Sequence, residues 1–128
     1  MKLGEIISHT NREKLANKII TRLIIIPASE GDMRVSLDYL NYIDIEQRSL
    51  CYHLWDDDIK ARCILRTSFA KAVEHYLHND NLIFLKPSLL INMDNIEFLN
   101  KDHIIFSNGK ILYFPKKYYQ EIYNRWVK

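Results

Sequence analysis

Two β-rich runs, His103 to Phe106 and Lys110 to Phe114, flank the dipeptide Asn108-Gly109. A type I′ turn needs positive φ at both central residues, and Asn-Gly supplies it at low steric cost, so a two-residue hairpin is expected here. Just upstream, Leu89-Leu90-Ile91-Asn92 reads as a buried strand ending on an amide, and Asn100-Lys101-Asp102 reads as a turn. Together they make a β meander, and the rest of the chain has to be compatible with it.

It is. Leu40 to Glu46 alternates as a half-buried strand does, and Ser49 to Trp55 places Leu50, Tyr52 and Leu54 on one face and Cys51, His53 and Trp55 on the other. Gln47-Arg48 is the polar turn between them, and Asp56-Asp57-Asp58 reverses the chain into a further strand, Ile59 to Leu65. Earlier, Arg22 to Ile26 is a β-branched strand stopped by Pro27, with Ser29 to Asp32 as a turn before a strand from Met33 to Leu37. Helical spacing occurs in two places. Ser68 caps a stripe of Phe69, Ala72, Val73, Tyr76 and Leu77 that frays at Asn79, and Pro115 opens a segment in which Tyr119, Ile122, Tyr123 and Trp126 share a face. Thr10 and Glu13 form a capping box for a short helix to about Lys18, so residues 1–19 are expected as a helical extension or linker and 20–128 as one domain. The expected fold is mostly β, with antiparallel sheets, hairpins and two to three small helices.

The chain has 128 residues, 48% apolar and 27% charged, which is the composition of a single folded domain. The net charge of +2 names no partner, but Lys101, Lys110, Lys116, Lys117, Arg125 and Lys128 against Asp102 and Glu121 leave +4 on residues 101–128. No signal peptide is visible, so Cys51 and Cys63 are expected to be reduced core residues and the protein cytoplasmic. The longest apolar run, Leu23 to Ala28, is too short to span a bilayer, so no membrane association is expected.

The order Phe84-x-x-x-Ser88-x-x-Ile91-Asn92, then Asn95-Ile96, a hairpin through Asn108-Gly109 and the basic pair Lys116-Lys117 resembles the C-terminal half of LytTR domains, DNA-binding output domains of bacterial response regulators. Leu40 to Glu46 is similar to the family's first long strand, and Ser68 to Leu77 lies where its helix falls, so the resemblance runs from about residue 20 to 126. It implies an elongated arrangement of sheets that binds double-stranded DNA through loops entering major grooves, as a sequence-preferring transcription regulator. No receiver domain is expected in this chain. The implied contacts are Arg48 with Ser49, Lys86-Pro87-Ser88, and Lys116-Lys117. Arginine at 48 can contact phosphate or read guanine through two hydrogen bonds, whereas Lys117, at a family arginine, keeps the charge without the planar fork. Direct-repeat sites, a homodimer on DNA and a regulatory protein partner also follow from the resemblance.

Three positions depart from the pattern. Phe84 replaces an arginine, Lys86 a histidine, and Pro87 a polar residue able to touch a base. Proline offers neither a side-chain donor nor an amide, so the alternative is a protein-interaction module on the same scaffold that has lost specific DNA reading. An RNA-binding β module ranks third, because the aromatics do not fall on adjacent strands.

No catalytic motif is present, and no enzyme activity is expected. Asp56-Asp57-Asp58 reads as a solvated turn and the His75/His78 pair as surface histidines without a third ligand. No metal and no cofactor is expected.

Overall fold

The computed structural model describes residues 23–78 and 81–127. The capping-box helix, the extension 1–19, Arg22 and the fraying Asn79 lie outside these residues.

Strands β1 (Leu23–Ala28) and β2 (Gly31–Ser36) form a two-stranded ribbon. Pro27 does not stop β1: it pairs with Asp32, because both strands of such a ribbon are edges, where a missing N–H is tolerated. Gly31 opens β2 at φ +137°, so that strand starts and ends earlier than the residue pattern implied. A 3-10 turn (Leu37–Tyr39) leads into the five-stranded central sheet. Its strands are β3 (Leu40–Glu46), β4 (Ser49–Leu54), β5 (Asp58–Lys60), β6 (Leu82–Lys86) and β7 (Leu89–Asn92), in the order β5-β4-β3-β7-β6. Helix α1 (Phe69–Val73) and a 3-10 turn (Glu74–Tyr76) come between β5 and β6. A third 3-10 turn, Met93–Asn95, leads into β8 (Ile96–Leu99), β9 (His103–Phe106) and β10 (Ile111–Tyr113), a separate sheet ordered β10-β9-β8. Another 3-10 turn (Lys116–Tyr118) and helix α2 (Tyr119–Trp126) complete the fold.

The central sheet is covered on both faces, so β4 is buried along its whole length. Leu50, Tyr52 and Leu54 face one core with Ile24, Ile26, Val35, Phe69 and Val73, while Ile83, Leu85, Leu89 and Ile91 face a second core with Ile104, Phe106 and Ile122. A register shift between Leu40 and Tyr42 adds a residue to β3, which puts Leu40 and Ile43 in the first core and turns Tyr42 to the second. Tyr52 and Tyr76 share a hydroxyl–hydroxyl bond of 2.8 Å, and the Tyr76 hydroxyl lies 3.0 Å from the Ile25 carbonyl, tying β4, the second 3-10 turn and β1 together. On α2 only Ile122 is fully buried, worth roughly 1.5–3 kcal/mol, and Tyr123 points outward instead of sharing the packed face.

Four asparagines join the two halves. Asn92 Nδ2 donates to the carbonyls of Leu37 and Leu40 at 3.0 and 2.9 Å, and its Oδ1 caps Asp94 N. Asn95 Nδ2 donates to Asp38 O and Leu40 O, at 2.8 and 2.9 Å. Asn41 donates to Asn108 Oδ1 at 3.2 Å, and Asn108 donates to Trp55 O at 2.9 Å. The two stitched turns repeat a motif: Ser36-Leu37-Asp38 and Asn92-Met93-Asp94 each begin with a side-chain oxygen capping the aspartate amide two residues on.

Three further expectations are corrected. The hairpin around Asn108-Gly109 has a three-residue loop with only Gly109 at positive φ (+91°), because Asn108 is held by Asn41, Trp55 and the Lys110 amide instead of taking the left-handed conformation. Strand β5 ends at Lys60 and not Leu65, since Arg62 N bonds to Pro27 O and Leu65 N to Arg48 O, outside the ladder. Cys63 lies in that irregular stretch and is exposed, whereas Cys51 is buried; both are free thiols. The Ser68 cap is present, its hydroxyl accepting from Lys71 N, but the helix tightens into a 3-10 turn after Val73. No described helix is long and apolar enough to cross a membrane.

Candidate nucleic-acid interface

Glu46 pairs with Ser49, so Gln47-Arg48 is a two-residue hairpin turn. Both residues take positive φ, +51° and +69°, the type I′ pattern that normally selects Asn-Gly. The turn matches the right-handed twist of its strands at a cost of roughly 1–2 kcal/mol per non-glycine residue. Its supports are visible: Leu65 N donates to Arg48 O at 2.7 Å, and Lys60 Nζ donates to Gln47 Oε1. The Arg48 side chain is exposed, and no described carboxylate pairs with it.

Pro87-Ser88 forms the turn between β6 and β7, with Lys86 opposite Leu89 and a register shift between Phe84 and Lys86. Neither Pro87 nor Ser88 has positive φ. Lys86 and Pro87 are exposed and Ser88 is half-buried. Strand β3 neighbours β7 antiparallel, with Tyr42 opposite Ile91 and Ile43 opposite Leu90, so moving along β3 towards Glu46 means moving back along β7 towards Ser88. Topology therefore brings the Arg48 turn and the Lys86-Pro87-Ser88 turn to one end of the central sheet. Arg66 follows the residue bonded to Arg48 and is exposed at the same end; the sequence reading passed over it because nothing local marks it.

Lys116 and Lys117 are exposed in the 3-10 turn before α2, on the other sheet, and the register that unites the first two turns does not extend to them. Lys117 Nζ lies 5.2 Å from the centre of the Tyr118 ring. Ser49 is 5% exposed and donates its hydroxyl to Cys63 O at 3.1 Å, so this side chain supports the turn from inside. Phe84, at the family's arginine position, packs edge-on against Phe69 with ring centres 6.2 Å apart and serves the first core.

A different cluster lies behind the Arg48 turn. Alternate residues of β3 and β4 put Asp44, Glu46, Cys51 and His53 on one face, because Asp44 is opposite Cys51 and Tyr42 opposite His53. His53 Nε2 bonds to Asp44 Oδ1 at 2.8 Å and its Nδ1 to Asp58 Oδ1 at 3.0 Å, with Glu46 Oε2 at 3.5 Å. Tyr42 stacks on the ring at 4.1 Å. Burial works against the imidazolium, but the Asp44 and Asp58 carboxylates outweigh it and raise the pKa of His53 above its ordinary value. The Cys51 thiol is pushed up to about 12 by burial and then by Glu46, and Tyr42 to about 12 by burial and then Asp44. Asp58, the last residue of the acidic run, thus belongs to this cluster, while Asp57 caps its own turn by accepting from Asp58 N.

This fold is that of the LytTR DNA-binding domains. The particular likeness is to the LytTr DNA-binding domain of a methyl-accepting/DNA response regulator from Bacillus cereus, with a TM-score of 0.61 at 13% identity, covering 83% of this chain and 96% of that one. No family model and no curated protein matches the sequence.

Proposed function

We propose that this protein binds double-stranded DNA as a transcription regulator of LytTR type, through turns and not through a recognition helix. The observation that carries the reading is the meeting of Arg48 and Lys86-Pro87-Ser88 at one sheet end, on a fold shared over nearly the whole length of a DNA-binding domain. Arg48 is the candidate base reader, Lys86, Ser88 and Arg66 hold phosphate beside it, and Lys116 and Lys117 supply further phosphate contacts. Ser49 acts through the turn it supports, and Pro87 shapes its loop. Direct-repeat sites and a homodimer on DNA fit successive grooves contacted by identical turns. Such a regulator is not an enzyme and works in the cytoplasm.

The test is duplex binding across a salt series. With about four to six phosphate contacts per subunit, log K against log salt should slope between roughly −3.5 and −5.5. A flat dependence, or no binding at low salt, refutes DNA binding. It would favour the second reading, a protein-interaction module, for which the outward face of the β8–β10 sheet offers Phe98, Ile111 and Tyr113 at 58, 48 and 69% exposure.

A further inference from the structure

We propose that Asp44, Glu46, Cys51 and His53 form a binding site for one divalent transition-metal ion of the zinc type. The two-residue turn fixes the register, so the four side chains are presented from adjacent strands on one face, and their ligand atoms all lie within 4.8 Å of one another. A tetrahedral zinc bound at about 2.0–2.3 Å sets its ligands roughly 3.3–3.8 Å apart. Closing the difference takes a shift of about 1 Å, within the reach of the half-exposed Glu46 and the partly exposed Asp44.

The donors suit that class of ion. A thiolate and an imidazole select zinc-like metals over magnesium or calcium, and two carboxylates complete the set. Neither of the first two is a loose surface group: the His53 side chain is 10% exposed and Cys51 is buried. Nε2 of His53 already points at Asp44 and Glu46, so the ion would take the place of the proton held there. The other ring nitrogen is bonded to Asp58 Oδ1 at 3.0 Å, the arrangement by which a carboxylate orients a metal-bound histidine. Tyr42, stacked on the imidazole, fixes its plane. Asp44, Glu46 and Asp58 bring three negative charges, while Lys110 Nζ is 3.8 Å from Asp58 and Lys60 Nζ is turned to Gln47. A divalent cation takes the place of the two protons that Nε2 and the thiol give up, so the charge of the face is unchanged on binding. Binding releases the Nε2 proton and the thiol proton to solvent.

The test uses cobalt(II) as a probe on the full chain after chelator treatment, followed by titration with zinc. The expected result is one cobalt per chain with a thiolate-to-cobalt charge-transfer band and visible bands of four-coordinate intensity, all removed by one equivalent of zinc. Cys51→Ser should abolish the charge-transfer band, Cys63→Ser should leave it, and Asp58→Asn should weaken zinc binding about 10–100-fold. Absence of the band in the folded wild-type protein overturns the proposal, whatever the variants do. So does a band that survives Cys51→Ser or disappears with Cys63→Ser.

Discussion

Replacing Arg48 separates what its backbone costs from what its side chain does. Gln47 and Arg48 sit at φ +51° and +69°, where an L-residue is disfavoured by roughly 1–2 kcal/mol. Glycine carries no such penalty, although its freedom in the unfolded chain returns about 0.5–1 kcal/mol of the gain. Arg48→Gly should therefore stabilise the fold by about 0.5–1 kcal/mol, or roughly 2–5 °C in Tm for a domain of this size. Arg48→Ala keeps the β-carbon and its strain, so its Tm should stay close to wild type, since the guanidinium has no described ion pair to lose. Both variants lose the charge. Each should lower the salt slope of duplex binding by about one, and cost about 1–3 kcal/mol on a preferred site if the guanidinium reads a base. Calorimetric melting and duplex titration on the three proteins check this. A Gly variant that melts at or below wild type refutes the strain argument, and one that binds DNA as tightly as wild type refutes the contact.

Asn92→Asp keeps the size but removes the donor to Leu37 O and Leu40 O, and should destabilise by roughly 2–4 kcal/mol in denaturant titration. In the native protein a thiol reagent should modify Cys63 quickly and Cys51 only on unfolding, because Cys51 is buried with its thiol pushed up to about 12; two fast thiols would contradict the packing of β4. Lys117→Ala should weaken all duplexes alike and lower the salt slope by about one, as expected of a phosphate contact. Pro87→Asn restores a donor and an acceptor at the turn beside Arg48 and should sharpen discrimination between duplexes by about 1 kcal/mol or more; an unchanged preferred site would mean that position 87 does not face a groove.

The elements legible in the residues were those with a local cause: the alternation of Ser49 to Leu54, the Ser68 cap, the turn at 47–48 and the meander. Where tertiary bonds outvoted local preference, the reading failed. Asn108 gives up the left-handed conformation because Asn41 and Trp55 hold it, and the stretch after Lys60 leaves the ladder because its amides find Pro27 and Arg48. The Asn92 that ended a strand in the sequence turned out to be a buried bracket from the end of β7 to the turn that opens β3, a role its position hinted at without naming its partners. The Asp44/Glu46/Cys51/His53 face was in principle readable. Once a two-residue turn is placed at 47–48, pairing by twos puts those four residues together, although they are spread over two strands with no spacing motif to mark them.

That face and the Arg48 turn belong to the same hairpin, so they should influence each other. Glu46 is adjacent to the turn, and its carboxylate lowers the positive potential that a phosphate would meet there. At a separation of about 8 Å in water-like surroundings one unit charge is worth about 0.5 kcal/mol. Because the divalent ion replaces two protons, it leaves the net charge of this face unchanged, and DNA affinity should move by less than about twofold. Linkage requires the reverse as well: duplex DNA would change the affinity for the ion by the same small factor. A coupling that small leaves the two proposals separable, since DNA binding persists without the ion and the ion can be detected with no DNA in the sample.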